Sequence, residues 1–257
     1  AAELIVPLPG ETKISFVNGL NNIINSSVSR VVIYTLMMLH GTQFKTPEYR
    51  KKYKYLTKFR IVPLNFGEYD GQKVFDYEEA GVGTKDLSFD DYLFIRTLAL
   101  FVETLYNGKP FEEFFKYAKY YGIQPADLLQ NLYENLLDAP KDLQLIINNF
   151  LGETKSELWD TEEELTNFYN KEENYNKLKR GEVGGNLIYK YKSMGLLTAS
   201  SSLTLFLRNQ ILKIVTSKQK EIKSLDIIKS ELKEISDFCN LKINALLDAS
   251  ANTESVS

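Results

Sequence analysis

The first part of the chain alternates between two hydrophobic periods. Residues 3–8 form a short apolar run that ends at the turn formers Pro9-Gly10, which predicts a buried strand. Residues 12–26 then follow a helical period, with apolar side chains on one face at Phe16, Leu20, Ile23 and Ile24. Residues 30–36 are β-branched and almost continuously apolar, which is typical of a strand covered on both faces. This order predicts a βαβ unit with two parallel strands.

The pattern changes in the middle of the chain. Residues 58–64 and 73–78 suit two strands, and Asp70-Gly71 between them is a favoured two-residue hairpin turn. From Ser88 onward the apolar spacing is almost wholly helical, and Ser88 with Asp91 three residues later resembles a capping box. The last two predicted helices cover about 202–217 and 219–248.

These elements predict an α/β start, a small β-hairpin and then a mostly α-helical C-terminal region. We divide the chain into 1–44 for the βαβ unit, 45–87 for a connector with the hairpin, and 88–250 for the helical region. The polar residues 251–257 are expected to be a disordered tail.

A lone βαβ unit cannot bury both faces of its strands, because a parallel sheet needs flanking strands and covering helices. No further strand–helix alternation follows downstream, and the chain begins within a strand pattern and without an initiator Met. We therefore expect a fragment of a longer protein whose remaining strands lie upstream of Ala1.

Composition and charge exclude several classes of protein. Apolar residues make up 44% of the 257 residues and charged residues 25%, which predicts a packed core. The net charge of −3 does not favour nucleic acid or an anionic membrane as partner. One cysteine and one histidine exclude a disulfide framework and a Cys/His zinc site. No apolar run approaches the roughly 18 residues of a membrane span, so we expect a soluble cytoplasmic protein.

The opening residues carry a family resemblance. The string from Glu3 to Thr12 (Glu-Leu-Ile-Val-Pro-Leu-Pro-Gly-Glu-Thr), the helix after it, and Gly41-Thr42 resemble the late barrel of radical S-adenosylmethionine (SAM) enzymes. Three further runs resemble the branch of that superfamily with an N-terminal cobalamin-binding domain: residues 36–39, 67–71 and 89–93.

The resemblance implies a fold and a set of binding residues. Residues 1–44 would be the last βαβ of a partial (β/α)6 barrel, and the remaining barrel and the cobalamin domain would be supplied by the parent chain. Matched by position, Glu3 would accept hydrogen bonds from the ribose hydroxyls of SAM, and Ile5 would contact its adenine. Pro7 stands where the family often has Gly, and it has no N–H to offer the adenine.

The defining cluster motif of the family, Cys-x3-Cys-x2-Cys, is absent. Radical SAM enzymes hold a [4Fe–4S] cluster on three thiolates, and this chain has one cysteine. The resemblance therefore implies that SAM cleavage, followed by radical methylation or rearrangement of an unknown small molecule, belongs to the parent chain. Its cofactors would be SAM and the cluster, with cobalamin as a further candidate. This chain alone would be inactive.

Other readings remain open. The alternative function is a non-enzymatic helical protein-interaction module that uses the amphipathic C-terminal helices. The basic, aromatic run 49–60 is more typical of a solvated face with inward tyrosines than of a nucleic-acid site. His40 is interpreted as a loop residue and Cys239 as a small core residue. Paired carboxylates such as Glu78 and Glu79 are interpreted as caps or surface charge.

Overall fold

The computed structural model describes residues 1–26, 28–218 and 224–254. The chain begins with β1 (Ala2–Val6), α1 (Lys13–Asn25) and β2 (Val31–Thr35). The two strands are parallel, with Leu4 opposite Ile33, so the predicted βαβ unit is confirmed. Helix α1 begins where predicted because the Thr12 hydroxyl accepts a hydrogen bond from the Ser15 N–H (3.1 Å).

A β-hairpin follows a short helix, α2 (Pro47–Tyr53). Its strands, β3 (Leu56–Tyr69) and β4 (Gln72–Gly83), are antiparallel and turn at Asp70-Gly71 as predicted. Both turn residues have positive φ, as the favoured type I′ hairpin turn requires. The strands are longer than predicted, because cross-strand pairing continues through polar positions that leave no apolar alternation in the sequence.

The rest of the described chain is helical, which confirms the predicted fold class. Helix α3 (Phe89–Phe101) has the predicted Ser88–Asp91 capping box and continues into a π-helical turn, Val102–Tyr106. The later helices are α4 (Glu112–Tyr120), α5 (Pro125–Glu134), α6 (Lys141–Ser156), α7 (Glu162–Asn170), α8 (Glu172–Lys179), α9 (Leu187–Thr198), α10 (Ser200–Lys218) and α11 (Leu225–Glu254). No helix among the described residues is both long and apolar enough to span a bilayer.

The C-terminal end differs from the predicted boundaries. Helix α11 includes residues 251–254, the first four of the expected disordered tail. Residues 219–223, where the last helix was expected to begin, and 255–257 of the tail lie outside the described residues.

One core joins the βαβ unit to the helices. Val6, Val31 and Phe16 belong to the same buried cluster as α3, α5, α6, α10 and α11. A smaller cluster lies beneath the hairpin, where Ile61 and Phe75 pack against α7 and α8. The single tryptophan, Trp159, contacts this smaller cluster, and its backbone N–H donates to the carbonyl of Phe59 (2.8 Å).

The side chain of Asn107, directly after the π-helical turn, connects the helical region to β2. Its amide nitrogen donates to the Val31 carbonyl (2.8 Å), and its carbonyl oxygen accepts from the Val31 N–H (3.0 Å). All these groups are buried, so Asn107 replaces a neighbouring strand at this point of the edge of β2.

Buried ion pairs attach the hairpin to the segment before it. Glu79 accepts hydrogen bonds from Lys45 (2.5 Å) and from Arg50. Arg50 also donates to the Thr57 hydroxyl (2.8 Å). The interpretation of Glu79 as surface charge is therefore wrong, since a strand, not a helix, carries this residue into the interior.

The pKa of Glu79 reflects this environment. Burial alone would raise the pKa, but hydrogen bonds from Lys45, Thr57 and Arg50 lower it below its ordinary value of 4.5. A carboxyl whose pKa is lower in the folded state than in the unfolded state stabilises the fold at pH values above its unfolded-state pKa. That contribution is lost as pH falls through the folded-state pKa.

We predict that Asn107→Ala lowers the free energy of unfolding by about 2–4 kcal/mol, because it leaves the buried N–H and C=O of Val31 without partners. Urea denaturation measures the change. The matched control is Asn18→Ala on the exposed side of α1, which should change stability by less than about 0.5 kcal/mol. Equal effects of the two substitutions would contradict the role given to Asn107.

We predict that Glu79→Gln lowers the free energy of unfolding at pH 7 by about 2 kcal/mol, since the charged hydrogen bonds to Lys45 and Arg50 are weakened. The wild-type protein should lose this advantage as pH falls below 4.5, so the two stability curves converge there. Urea denaturation at several pH values tests this. The control Glu48→Gln, in exposed α2, should leave the dependence of stability on pH unchanged. A difference in stability between the wild type and Glu79→Gln that stays constant down to low pH would refute the role given to Glu79.

Candidate functional site

The two parallel strands have one covered face and one open face. Val6, Val31 and Ile33 point to the core on the side of α1. On the opposite face, Ile5 and Tyr34 are neighbours across the strands, and they are 46% and 48% exposed. This face is largely exposed at Ile5 and Tyr34, which differs from the expectation that the second strand is covered on both sides.

One edge of this sheet is unpaired within the described chain. Ala2 donates to the carbonyl of Arg30 (2.9 Å), and Val6 accepts from the N–H of Leu36 (2.8 Å). Backbone groups alternate in direction along a strand, so those of Glu3 and Ile5 point away from β2. The outer edge of β1 is thus a row of donors and acceptors with no strand beside it.

A groove runs along this edge between β1 and α1, with a volume of about 240 Å³. Its walls carry both apolar and polar side chains, including Glu3, Ile5, Glu11, Ser15 and Phe16. A further apolar side chain, Ile14, projects from α1 into solvent. The edge and its groove together have the form of a docking place for another strand and helix.

The predicted SAM-binding residues are brought together only in part. Glu3 and Ile5 project from the same open face, two residues apart on β1, and border the groove. Pro7 is buried, and its carbonyl accepts a hydrogen bond from the Tyr55 hydroxyl (3.3 Å). The backbone at Pro7 is therefore already engaged within the chain.

The structure also shows where the other residues considered in the sequence lie. His40 lies exposed in a turn after β2. Cys239 is fully buried, as interpreted, and burial raises the pKa of its thiol to about 12. Among the described residues, no three His, Cys, Asp or Glu side chains converge in a way that could hold a metal ion. The single thiol and this geometry do not fit a [4Fe–4S] cluster held by this chain.

The two arginines of the basic run 49–60 do not extend freely into solvent as a solvated face would require. Arg50 pairs with Glu79, as described above, and Arg60 donates from Nε to Glu78 (2.5 Å). Arg60 also donates to Glu157 (3.3 Å). These arginines bind carboxylates of this chain, which leaves them occupied within the fold.

A second cavity, of about 150 Å³, lies beside β2. It is enclosed by β2, β3, α3 and the start of α9, and charged side chains line it at Arg60, Arg96, Glu103 and Glu157. Burial raises the pKa of the Glu157 carboxyl, and the attraction of Arg60 and Arg96 offsets this only in part.

Arg96 is the residue of this cavity that the sequence reasoning missed. It lies in the middle of the apolar run Tyr92–Phe101, all of which is buried. A lone arginine inside such a run is the signal that could have found it, because a charge is rarely buried without a partner.

We predict that the open face contributes little to the stability of this chain. The double substitution of Ile5→Ser and Tyr34→Ser should change the free energy of unfolding by less than about 1 kcal/mol and reduce binding of an apolar dye. The control Ile33→Ala, on the covered face of the same strand, should cost about 2–4 kcal/mol. A large loss of stability in the double variant would show that the face is covered in solution.

Comparison with known proteins does not assign a function to this site. No protein-family model matches the chain, and no curated protein matches it significantly. The function is therefore argued from the residues and their arrangement.

Proposed function

We propose that this chain is the C-terminal portion of a radical SAM enzyme and that β1, α1 and β2 close its partial (β/α)6 barrel. One observation carries the proposal. The two side chains expected to contact SAM, Glu3 and Ile5, lie on the face that α1 leaves open, on a strand whose outer edge is unpaired.

This arrangement matches the last unit of a barrel for physical reasons. In a (β/α) barrel the helices cover the outer surface of the strands, so the face away from α1 corresponds to the interior. A parallel strand with a free edge and an apolar face requires a further parallel strand beside it. The remainder of the parent chain would supply that strand, and it is the principal partner in this proposal.

The roles of the two residues follow from their chemistry. The Glu3 carboxylate is exposed and can accept hydrogen bonds from two ribose hydroxyls. Ile5 offers an apolar surface of the size needed to pack on a purine ring. When SAM is bound to a reduced [4Fe–4S] cluster in the parent protein, it supplies the radical chemistry, whereas the residues of this chain hold and orient it.

The proposal extends to the wider context of the enzyme. Cobalamin is a further candidate cofactor of the parent chain, through the branch-level resemblance at residues 36–39, 67–71 and 89–93. The reaction would be a radical methylation or rearrangement of a small molecule. The proposal includes a cytoplasmic location, with which a single cysteine that is free and buried is compatible.

A second candidate is a non-enzymatic helical interaction module. Phe238 and Leu241, one helical turn apart on α11, are exposed and could form part of a partner surface. However, the βαβ unit is integrated with the helices and is not incidental to them. Asn21 on α1 accepts from the N–H of Ala126 (2.8 Å) and donates to Asp127 (2.7 Å) at the start of α5.

The test uses the native protein, isolated from its source cells without oxygen. We expect an intact mass well above 29.5 kDa, bound iron and sulfide, and formation of 5′-deoxyadenosine from SAM with a strong reductant. In that protein, Glu3→Gln should raise the KM for SAM about tenfold, because charged hydrogen bonds to the ribose are weakened. Glu48→Gln, which changes an exposed carboxylate on α2, is the matched control.

Two results would overturn the proposal. A native mass near 29.5 kDa would mean that no cluster-bearing half exists, and it would favour the interaction module. A larger protein with an intact cluster that forms no 5′-deoxyadenosine would exclude the radical SAM reaction directly.

A further inference from the structure

We propose that the cavity beside β2 is a binding site for a small carboxylate with an apolar body, held by Arg96 and the N-terminus of α9. The site consists of groups of this chain alone. It does not depend on the barrel proposal, and it lies at the opposite edge of the sheet from the free edge of β1.

Arg96 carries the inference because it is buried and its Nε has no hydrogen-bond partner. The residue is 8% exposed and lines the cavity. Its Nε has no hydrogen-bond partner, and its charge attracts Glu157 without a hydrogen bond between them among the described residues. One side of the guanidinium lies over the ring of Phe150, with 5.9 Å from Cζ to the ring centre. This contact fixes the group and leaves its N–H donors for the cavity.

The other charged side chains near the cavity form ion pairs with one another. Glu103 is held by Lys192 (2.7 Å) and Arg30 (3.7 Å), and it also accepts from Asn107. Glu157 and Glu78 share Arg60. Arg60 therefore serves two carboxylates, and Arg96 attracts Glu157 from beyond ion-pair distance and keeps an Nε donor without a hydrogen bond. A buried donor without a partner is costly, so a bound anion would stabilise it.

A second set of donors points to the same ligand. Helix α9 begins at the cavity wall, where its N-cap Asn186 accepts from the N–H of Tyr189 (3.3 Å). The N–H groups of Leu187 and Ile188 belong to the first turn, so they have no partner within the helix. A helix N-terminus and a guanidinium both favour an oxyanion.

The charge and the walls select a carboxylate among the oxyanions. Glu103 and Glu157 line the same cavity and repel a phosphate dianion more strongly than a monoanion. The planar guanidinium fork suits a carboxylate in two parallel hydrogen bonds. Apolar side chains complete the lining at Ile61, Pro63, Ala99 and Leu187, with Tyr34 at the side. The body of the ligand is therefore apolar.

The test is a titration of the 257-residue chain with benzoate, followed at the amide resonances of Leu187 and Ile188 by NMR. We expect saturable shifts with benzoate, and none with benzamide, which has the same shape without the charge. Inorganic phosphate provides the second arm. Saturable phosphate binding in place of benzoate would overturn the carboxylate assignment.

Three variants locate the site. Arg96→Met should weaken benzoate binding at least about tenfold, and Ile188→Pro, which removes one N–H at a position that tolerates proline, should weaken it about threefold. Arg180→Met removes an exposed arginine elsewhere and should have no effect. An unchanged affinity for benzoate in folded Arg96→Met would overturn the proposal. If Arg96→Met does not fold, an unchanged affinity in Ile188→Pro would overturn it.

Discussion

The hydrogen bonds between Asn107 and Val31 are the constraint on which the arrangement of the molecule depends. They attach the edge of β2 to the end of the π-helical turn, so the small sheet is held by the helical region. Glu103, on the same turn, lines the cavity and accepts from the Asn107 amide (2.6 Å) and from Lys192 (2.7 Å). One short stretch of chain thereby fixes one edge of the sheet and a wall of the charged cavity, and it leaves the other edge of the sheet free.

The sequence is informative where local chemistry decides the structure. The caps at Thr12 and Ser88 and the turn at Asp70-Gly71 each follow from a few adjacent residues, and each is found in the structure. The period of two along β1 is also enough to place Glu3 and Ile5 on a common face. The engagement of Pro7 by Tyr55 could not be predicted, because those residues meet only through tertiary packing.

Charges were the least predictable feature, for a related reason. Whether a carboxylate lies at the surface or in the interior depends on which face of its strand is covered and on which cation reaches it. Glu78 and Glu79 are adjacent in sequence and on opposite faces of β4, yet both are enclosed and paired with arginines from earlier in the chain. Arg96 is the converse case, because it is a buried charge whose Nε has no hydrogen-bond partner among the described residues.

The position of the single tryptophan has a consequence for spectroscopy. Trp159 contacts the smaller cluster beneath the hairpin, at 4.7 Å between its ring centre and that of Phe168, and not the main core. Its fluorescence therefore reports the packing of the hairpin on α7, whereas circular dichroism is dominated by the helices of the main core. The two optical signals follow different parts of one polypeptide, and any difference between their unfolding midpoints measures how tightly the two clusters are coupled.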